Sequence, residues 1–277
     1  MKKLTWFALL LISVTVSAQT KEKIKGSKIV TVEQKEIDEF AELEVSDNLE
    51  IFLIKGDKCG VEIEADDNLH EAIQINQHAS LLQLSASKDV TGAKKFSVRI
   101  TYTDSFKMLT AKNQANVTAL ADIKLDNFTF KAFDGSKIFA NVKSKNFTFM
   151  GNDKSKAELN ITGEQTNIEL SKNAQLKALI SSSFLKFDMY QKSTAVVEGD
   201  ANDLKLRLDN NANFIGKNFT AKNANLIAEG YTVCSVLCTT WMAIEATGKA
   251  EISIYGDQKI DLRKFQDNAT LYKKPTK

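Results

Sequence analysis

The feature that most constrains this chain is a period. A small residue precedes a run of alternating apolar residues at Ala115, Ser136, Ser155, Ala174, Ser193, Ala212, Thr232, Ala250 and Ala269, at spacings of 18 to 21 residues and most often 19. The local strings share a pattern: "DGSKI", "DKSKA", "KNAQL", "QKSTA", "NNANF", "GKAEI" and "DNATL". Around 166–183, Ile168 and Leu170 point one way. After a turn at Lys172-Asn173, Ala174, Leu176, Ala178 and Ile180 point the same way. Alternation of this kind marks strands with one buried face. A unit this short holds at least two strands and no long helix, so it cannot bury its apolar face alone. Coiling the units and stacking each turn on the last gives one continuous core. Equivalent strands then run parallel, and backbone chirality favours a right-handed coil.

The expected fold is therefore all-β: a right-handed parallel β-helix, a solenoid of about 19 residues per coil. Its nine anchors give a rod on the order of 40 Å long at about 4.8 Å per coil. The small anchor residue is expected at a corner where the backbone bends inward. The scarcity of turn residues, one Pro and 12 Gly, argues against a sandwich of tight hairpins. The Leu-x-x-Leu-x-Leu frame of a leucine-rich horseshoe is missing.

Before Ala115 the pattern loosens. "KIVTVEQ", "VEIEA" and "FSVRITY" read as strands, and "DDNLHEAI" at 66–73 reads as one short helix near the N-terminal end. Asp66 and Asp67 suit the positive start of that helix. Open solenoid ends expose unpaired strands, so a cap is required. The expected organisation is a signal peptide at 1–18 and a single β-helix domain at 19–277. Within that domain, 27–110 forms irregular opening coils and a cap, and 111–277 forms regular coils.

The leader reading rests on Lys2 and Lys3, the apolar stretch from Leu4 to Val16, and small residues up to Ala18. That stretch is short for a membrane span, and no later segment is apolar enough to span once the leader is cleaved. Charge is nearly balanced at 37 basic against 35 acidic residues, with Arg only at Arg99, Arg207 and Arg263. Phosphate and base recognition favour Arg forks, so no nucleic-acid partner is expected. Cys59, Cys234 and Cys238 are too few for a disulfide scaffold. If extended, Cys234 and Cys238 would stand about 13 Å apart, too far to bridge. They read as buried thiols acting as small apolar residues, and a cross-link at Cys59 stays open.

The opening "KIVTVEQKEIDEFAELEVSDNLEIFLIKGD", the following "VEIEADDNLHEAIQI" and the closing "LYKKP" at 271–275 resemble the head GIN domain of auto-transporter adhesins. That is a domain of unknown function on exported proteins of Gram-negative bacteria. The Ser-Gly-Ser-Gly turns of that pattern are mostly replaced here by Lys/Asn-Ser/Ala strings. Relatives also often carry another turn beyond the position of Pro275. The resemblance implies a parallel β-helix and an envelope location, and brings no catalytic residues to carry over.

Some β-helices cleave polysaccharides, a chemistry that uses paired carboxylates. Glu169, Asp188 and Arg207 fall 19 apart and are expected to stack outward on successive coils, with Lys186 and Lys205 beside them. Glu169 and Asp188 would be the pair for glycoside cleavage; the bland alternative is a surface pair of Asp188 with Arg207. His70 and His78 lack the further ligands a zinc site needs, and neither a metal nor another cofactor is expected. Trp241 is expected outward or at a corner, where it could stack on a sugar ring. The reading is a non-catalytic exported binding or adhesin-like module, periplasmic, on the outer surface or secreted. Its partner would be a glycan, a lipid or another envelope protein. The alternatives are a polysaccharide lyase or hydrolase, and a structural envelope protein that self-associates as a homo-oligomer.

The Asn-x-Thr triplets in "DNFTF" at 126–130 and "KNFTF" at 145–149 follow from the period. Their Asn residues are expected to ladder along the rod while Phe128/Phe130 and Phe147/Phe149 stack inside. Asn167 is expected in the same register, and "KNFTA" at 217–221 out of phase.

Overall fold

The computed structural model describes residues 21–276; the expected leader at 1–18 lies outside them. Strands make up 67% of the chain, in a parallel β-helix of about nine turns with about 19 residues per coil. Each regular coil is one long strand bent once: Lys137–Gly151, Lys156–Leu170, Gln175–Met189, Thr194–Leu208, Asn213–Ala228 and Val233–Ala246. Neighbours pair in parallel, so Ile138, Ala157, Leu176, Ala195 and Phe214 form one inward column. The part of each strand before the bend belongs to one face of the rod, and the part after it to a second face. Helix is almost absent, and no helix among the described residues is long and apolar enough to cross a membrane.

Two corners close each coil. At the first, the anchors Ala115 through Ala250 are all 0–1% exposed. Two residues before each anchor the backbone is left-handed, as at Asp153 (φ 57°), Lys172 (φ 56°), Gln191 (φ 59°) and Asn210 (φ 63°). That conformation costs a non-glycine residue about 1–2 kcal/mol. Stacking offsets it, because the carbonyl of one corner accepts from the next: Asn173 N–H donates to Asp153 O at 2.8 Å and Asn211 N–H to Gln191 O at 3.0 Å. Repetition thus stabilises a turn that no single coil would favour. The anchor must be small because its side chain points into the crowded inside of this turn.

The second corner has its own column, which the period alone did not single out. Ser144, Gly163, Ser182, Ala201, Ala221 and Cys238 pair in register at the bend. Here the bend brings carbonyls toward the interior. Ser144 Oγ lies 3.0 Å from Asn146 O, Ser182 Oγ 3.0 Å from Phe184 O, and Cys238 Sγ 3.2 Å from Trp241 O. Small residues with a polar hydrogen satisfy carbonyls that would otherwise be buried bare.

Departures from the 19-residue period have local causes. The strand Asn213–Ala228 carries an extra residue, bulging against its predecessor between Val196 and Glu198. "KNFTA" is out of phase because it lies before the second corner, on the first face, whereas the residues in register with "KNFTF" are 222–226. The long spacing from Ala115 to Ser136 holds a break at 120–122, where Leu120 is exposed.

The core is lined by apolar columns. Phe128, Phe130, Phe147 and Phe149 are buried, and Phe130 meets Phe147 edge-on with centroids 5.9 Å apart. Outside, Asn146 Nδ2 donates to Asn127 Oδ1 at 2.8 Å, the expected ladder. Asn167 does not extend it. Gln165 takes the next rung, because Asn167 pairs with Thr148 instead. Thr166 then falls on the inward position under Phe147 and bonds the Ser182 hydroxyl at 3.0 Å. All three cysteines are free. Burial pushes the Cys234 thiol up to about 12.

The N-terminal end departs from simple coiling. Gly60–Asp66 pairs antiparallel with both Val30–Glu36 and Phe96–Tyr102, and Ile73–His78 pairs antiparallel with Leu81–Ala86. The helix there is a single 3-10 segment, Asp67–Ala72, whose Leu69 and Ala72 are buried. Asp66 does not cap it with its side chain. It is fully buried and accepts backbone N–H groups from Lys28 at 2.8 Å, Lys94 at 3.0 Å and Lys95 at 3.0 Å. Two chain segments, around Lys28 and at Lys94–Lys95, are thereby tied to one carboxylate.

Candidate functional site

The first face carries a cleft that runs across several coils. Its outward residues stack in two columns: Phe139, Glu158, Lys177 and Val196, and beside them Asn141, Asn160, Leu179 and Glu198. The period produces both columns, since residues one coil apart sit one strand spacing apart, about 4.8 Å. Between them lies a cleft of about 530 Å³, with Ala140 and Ala178 on its floor.

The lining is mixed. Asn160 Nδ2 donates to Asn141 Oδ1 at 2.7 Å, and the Asn141 amide in turn bonds the Asp122 carboxylate. Lys177 and Glu158 stand 3.5 Å apart, and Asn218 Nδ2 donates to Glu198 at 3.2 Å. Leu179 is 53% exposed directly in the cleft, an unusual place for a large apolar side chain. Amide pairs, carboxylates and an apolar stripe can hold a polyhydroxylated or amphipathic ligand. No nucleophile–base pair is among them. Sequence reasoning missed this cleft because outward residues look like ordinary solvated positions; the signal was an Asn-to-Asn repeat followed by an outward Leu.

Glu169 and Asp188 occupy one outward column with Arg207 on the second face, as their spacing predicts. Lys186 and Lys205 stack in the neighbouring position. The expected bond between Asp188 and Arg207 does not form. Asp188 instead holds Lys186 at 2.9 Å, and Arg207 turns to Glu229 at 3.1 Å. The hydrogen bond that the Lys186 ammonium donates to Asp188 keeps that ammonium above its usual range. Along-strand neighbours two apart reach each other more easily than the Arg207 fork reaches back down. Asp188 is thus held in an ion pair within its own strand.

Trp241 is half-buried at the end of the second face, paired in register with Asn223 and Lys259. The Arg263 guanidinium lies over its ring at 5.5 Å, so one face of the indole is already covered. His70 sits in the cap, with Nε2 2.8 Å from Thr31 Oγ1 and Nδ1 3.3 Å from Glu33. His78 is exposed. Among the described residues, no group of three or more His, Cys, Asp or Glu side chains is arranged to hold a metal ion.

Comparison with known proteins adds a family and a set of folds. A family model described as "Putative auto-transporter adhesin, head GIN domain" matches residues 39–257. No curated protein matches the chain. A solved structure of a "putative adhesin" from Parabacteroides merdae is similar at 17% identity and TM-score 0.58, covering 92% of this chain and 98% of that one. A "putative adhesin" from Parabacteroides distasonis is similar at 14% identity and TM-score 0.53, with coverage of 92% and 98%. A "Putative lipid binding protein" from Parabacteroides distasonis is similar at 14% identity and TM-score 0.56, covering 91% and 99%. At these identities the likeness speaks for the fold.

Proposed function

We propose a function from one premise: the chain belongs to the head GIN domain family of auto-transporter adhesins. The protein is an exported, non-catalytic, adhesin-like module that binds an extended ligand along the outside of its rod. The observation that carries this is the cleft on the first face, where exposed Leu179 sits beside the Asn141–Asn160 amide pair and Glu198. A bound surface glycan would use the amides and carboxylates for its hydroxyls and the apolar stripe for its ring faces. Rigidity favours the same role: stacked strands present the columns without an ordering cost on binding.

The test is a glycan array run with the purified protein, beside lipid vesicles and a lyase and hydrolase assay on the same glycans. Vesicles belong in the set because one structure of this fold carries a lipid-binding description. The expected result is retention on a subset of glycans without cleavage. Retention on vesicles alone would reassign the ligand class. Product release would sink the non-catalytic reading, and no retention on either panel would sink the binding reading.

A further inference from the structure

The two ends of the rod differ in a way that fits them to each other. At the C-terminal end, Lys259–Phe265 pairs only with Val233–Ala246, and Thr270–Lys273 only with Glu251–Tyr255. Their outer edges carry no strand among the described residues. Ile260 and Leu262 pair in register with the buried Met242 and Ile244, so they continue the core columns to the end of the rod. There they are 37% and 52% exposed, with Phe265 at 40%. Lys259 and Lys264 flank them, both exposed and free of ion pairs within the described residues. Arg263 and Lys273 add positive charge, each partly answered by an Asp of its own end.

The N-terminal end is the opposite. Val30–Glu36 and Ile73–His78 also have free outer edges among the described residues. Between them runs a cleft of about 1130 Å³ with Ile37, Ile73 and Ile75 in its lining. Its rim holds Glu33, Glu36, Asp38, Asp67 and Glu71 against Lys35 alone. Glu36 and Glu71 are exposed. Val32, on the outermost strand, is 60% exposed.

An uncovered apolar core end rimmed by Lys therefore faces outward at one end, and an apolar-floored cleft rimmed by carboxylates at the other. The strand direction is compatible at one of the two free edges, Val30–Glu36, while Ile73–His78 runs against the coils. Val30–Glu36 is antiparallel to an antiparallel strand, which returns it to the direction of the coils. A further strand can add to its edge in parallel, as on any coil. We infer that the basic, apolar C-terminal end of one copy docks on the acidic N-terminal cap of a second copy, so that rods associate head to tail. Tail-to-tail pairing would oppose Lys259 and Lys264 with their like. A head-to-tail contact is heterologous and propagates, so the product is a series of stacked rods. The contact buries strand edges that would otherwise invite unspecific pairing.

Sedimentation velocity over a range of protein concentrations at low salt tests this. The weight-average sedimentation coefficient is expected to rise with concentration. It is expected to fall when salt approaches about 1 M, where screening shortens to about 3 Å. Glu36→Lys with Glu71→Lys, and separately Lys259→Glu with Lys264→Glu, are each expected to weaken self-association by a factor of about 10 or more. These positions are exposed and unpaired, and an unchanged melting temperature checks that each variant folds. Mixing the two variants is expected to restore association, because each then meets an opposite charge. A wild type that stays monomeric throughout overturns the inference. So does a cap-reversed variant that still dimerises, which would mean tail-to-tail pairing.

Discussion

Gly199 lies so close to the coil before it that a Cβ there would stand 2.1 Å from the carbonyl oxygen of Ile180. Its φ of 104° is one that L side chains rarely adopt. The two constraints have one source. Gly199 pairs with Ile180 just before the second corner, where the next coil bulges and draws the backbones together. Gly256 repeats the arrangement, 2.1 Å from Cys238 O at φ 91°.

Gly199→Ala and Gly256→Ala should therefore each destabilise the rod by about 2 kcal/mol or more, from strain and a backbone clash that cannot relax. Gly60→Ala is the control, since nothing lies within 4 Å of its Cβ position. Urea unfolding midpoints measure the difference. Equal losses at all three sites would contradict the packing described for the corner.

The anchor column allows a finer comparison. Ser136 Oγ donates to Ala111 O at 3.0 Å and accepts from Phe133 N–H at 3.1 Å. Ser155 and Ser193 occupy equivalent anchors, yet their buried hydroxyls reach no partner in the protein. Ser136→Ala should cost about 1 kcal/mol, while Ser155→Ala and Ser193→Ala should be close to neutral or stabilising. Thermal melts of the three single variants decide it, and a loss at Ser193 matching that at Ser136 would refute the distinction.

These two columns show how far the sequence could be read. The anchors were legible because a strict corner demands smallness at a fixed interval, and composition at one position repeated many times is a strong signal. The second corner was not, because Ser, Gly, Ala and Cys all satisfy it and the interval shifts with the bulge after Val196. Asn167 was misplaced for a related reason. An outward Asn before an apolar residue recurs every two positions along a strand, so the triplet alone does not fix the register. The cap was legible only in outline, since its antiparallel pairings join segments distant in sequence. Glu169 and Asp188 were correctly stacked by spacing, but side-chain partners are chosen by local reach, which sent Asp188 to Lys186.

Asp66 makes the cap sensitive to acid. Burial alone would push its carboxyl up, but backbone N–H donors from Lys95, Lys28 and Lys94 outweigh burial and hold it below the usual carboxylate range. A carboxyl with a lowered folded pKa stabilises the fold fully above its unfolded value of about 3.9. That contribution is lost as pH falls through the lower folded value. Amide exchange in residues 23–28 and 89–95 should therefore accelerate below about pH 4 while the regular coils stay protected. Asp66→Asn should open the same segments at neutral pH. Gly26→Ala should do so too, because its Cβ would fall 2.2 Å from Asp66 Oδ2. Uniform exchange across cap and coils at low pH would count against a local role for this carboxylate.

The last prediction separates the two surfaces on which a ligand could act. If the first-face cleft holds the ligand, Leu179→Asp should lower retention on any glycan the array identifies by a factor of about 10, since it replaces an apolar contact with a charge that must be desolvated. Asn160→Ala should lower it less, by removing one half of the amide pair at Asn141. Both side chains point outward, so melting temperatures should move little. Glu169→Gln and Asp188→Asn, on the other face, should leave retention unchanged and should abolish no cleavage. Surface plasmon resonance on the immobilised glycan measures all four. A loss confined to the Glu169 and Asp188 variants would move the site to the second face and reopen the carboxylate pair as its centre.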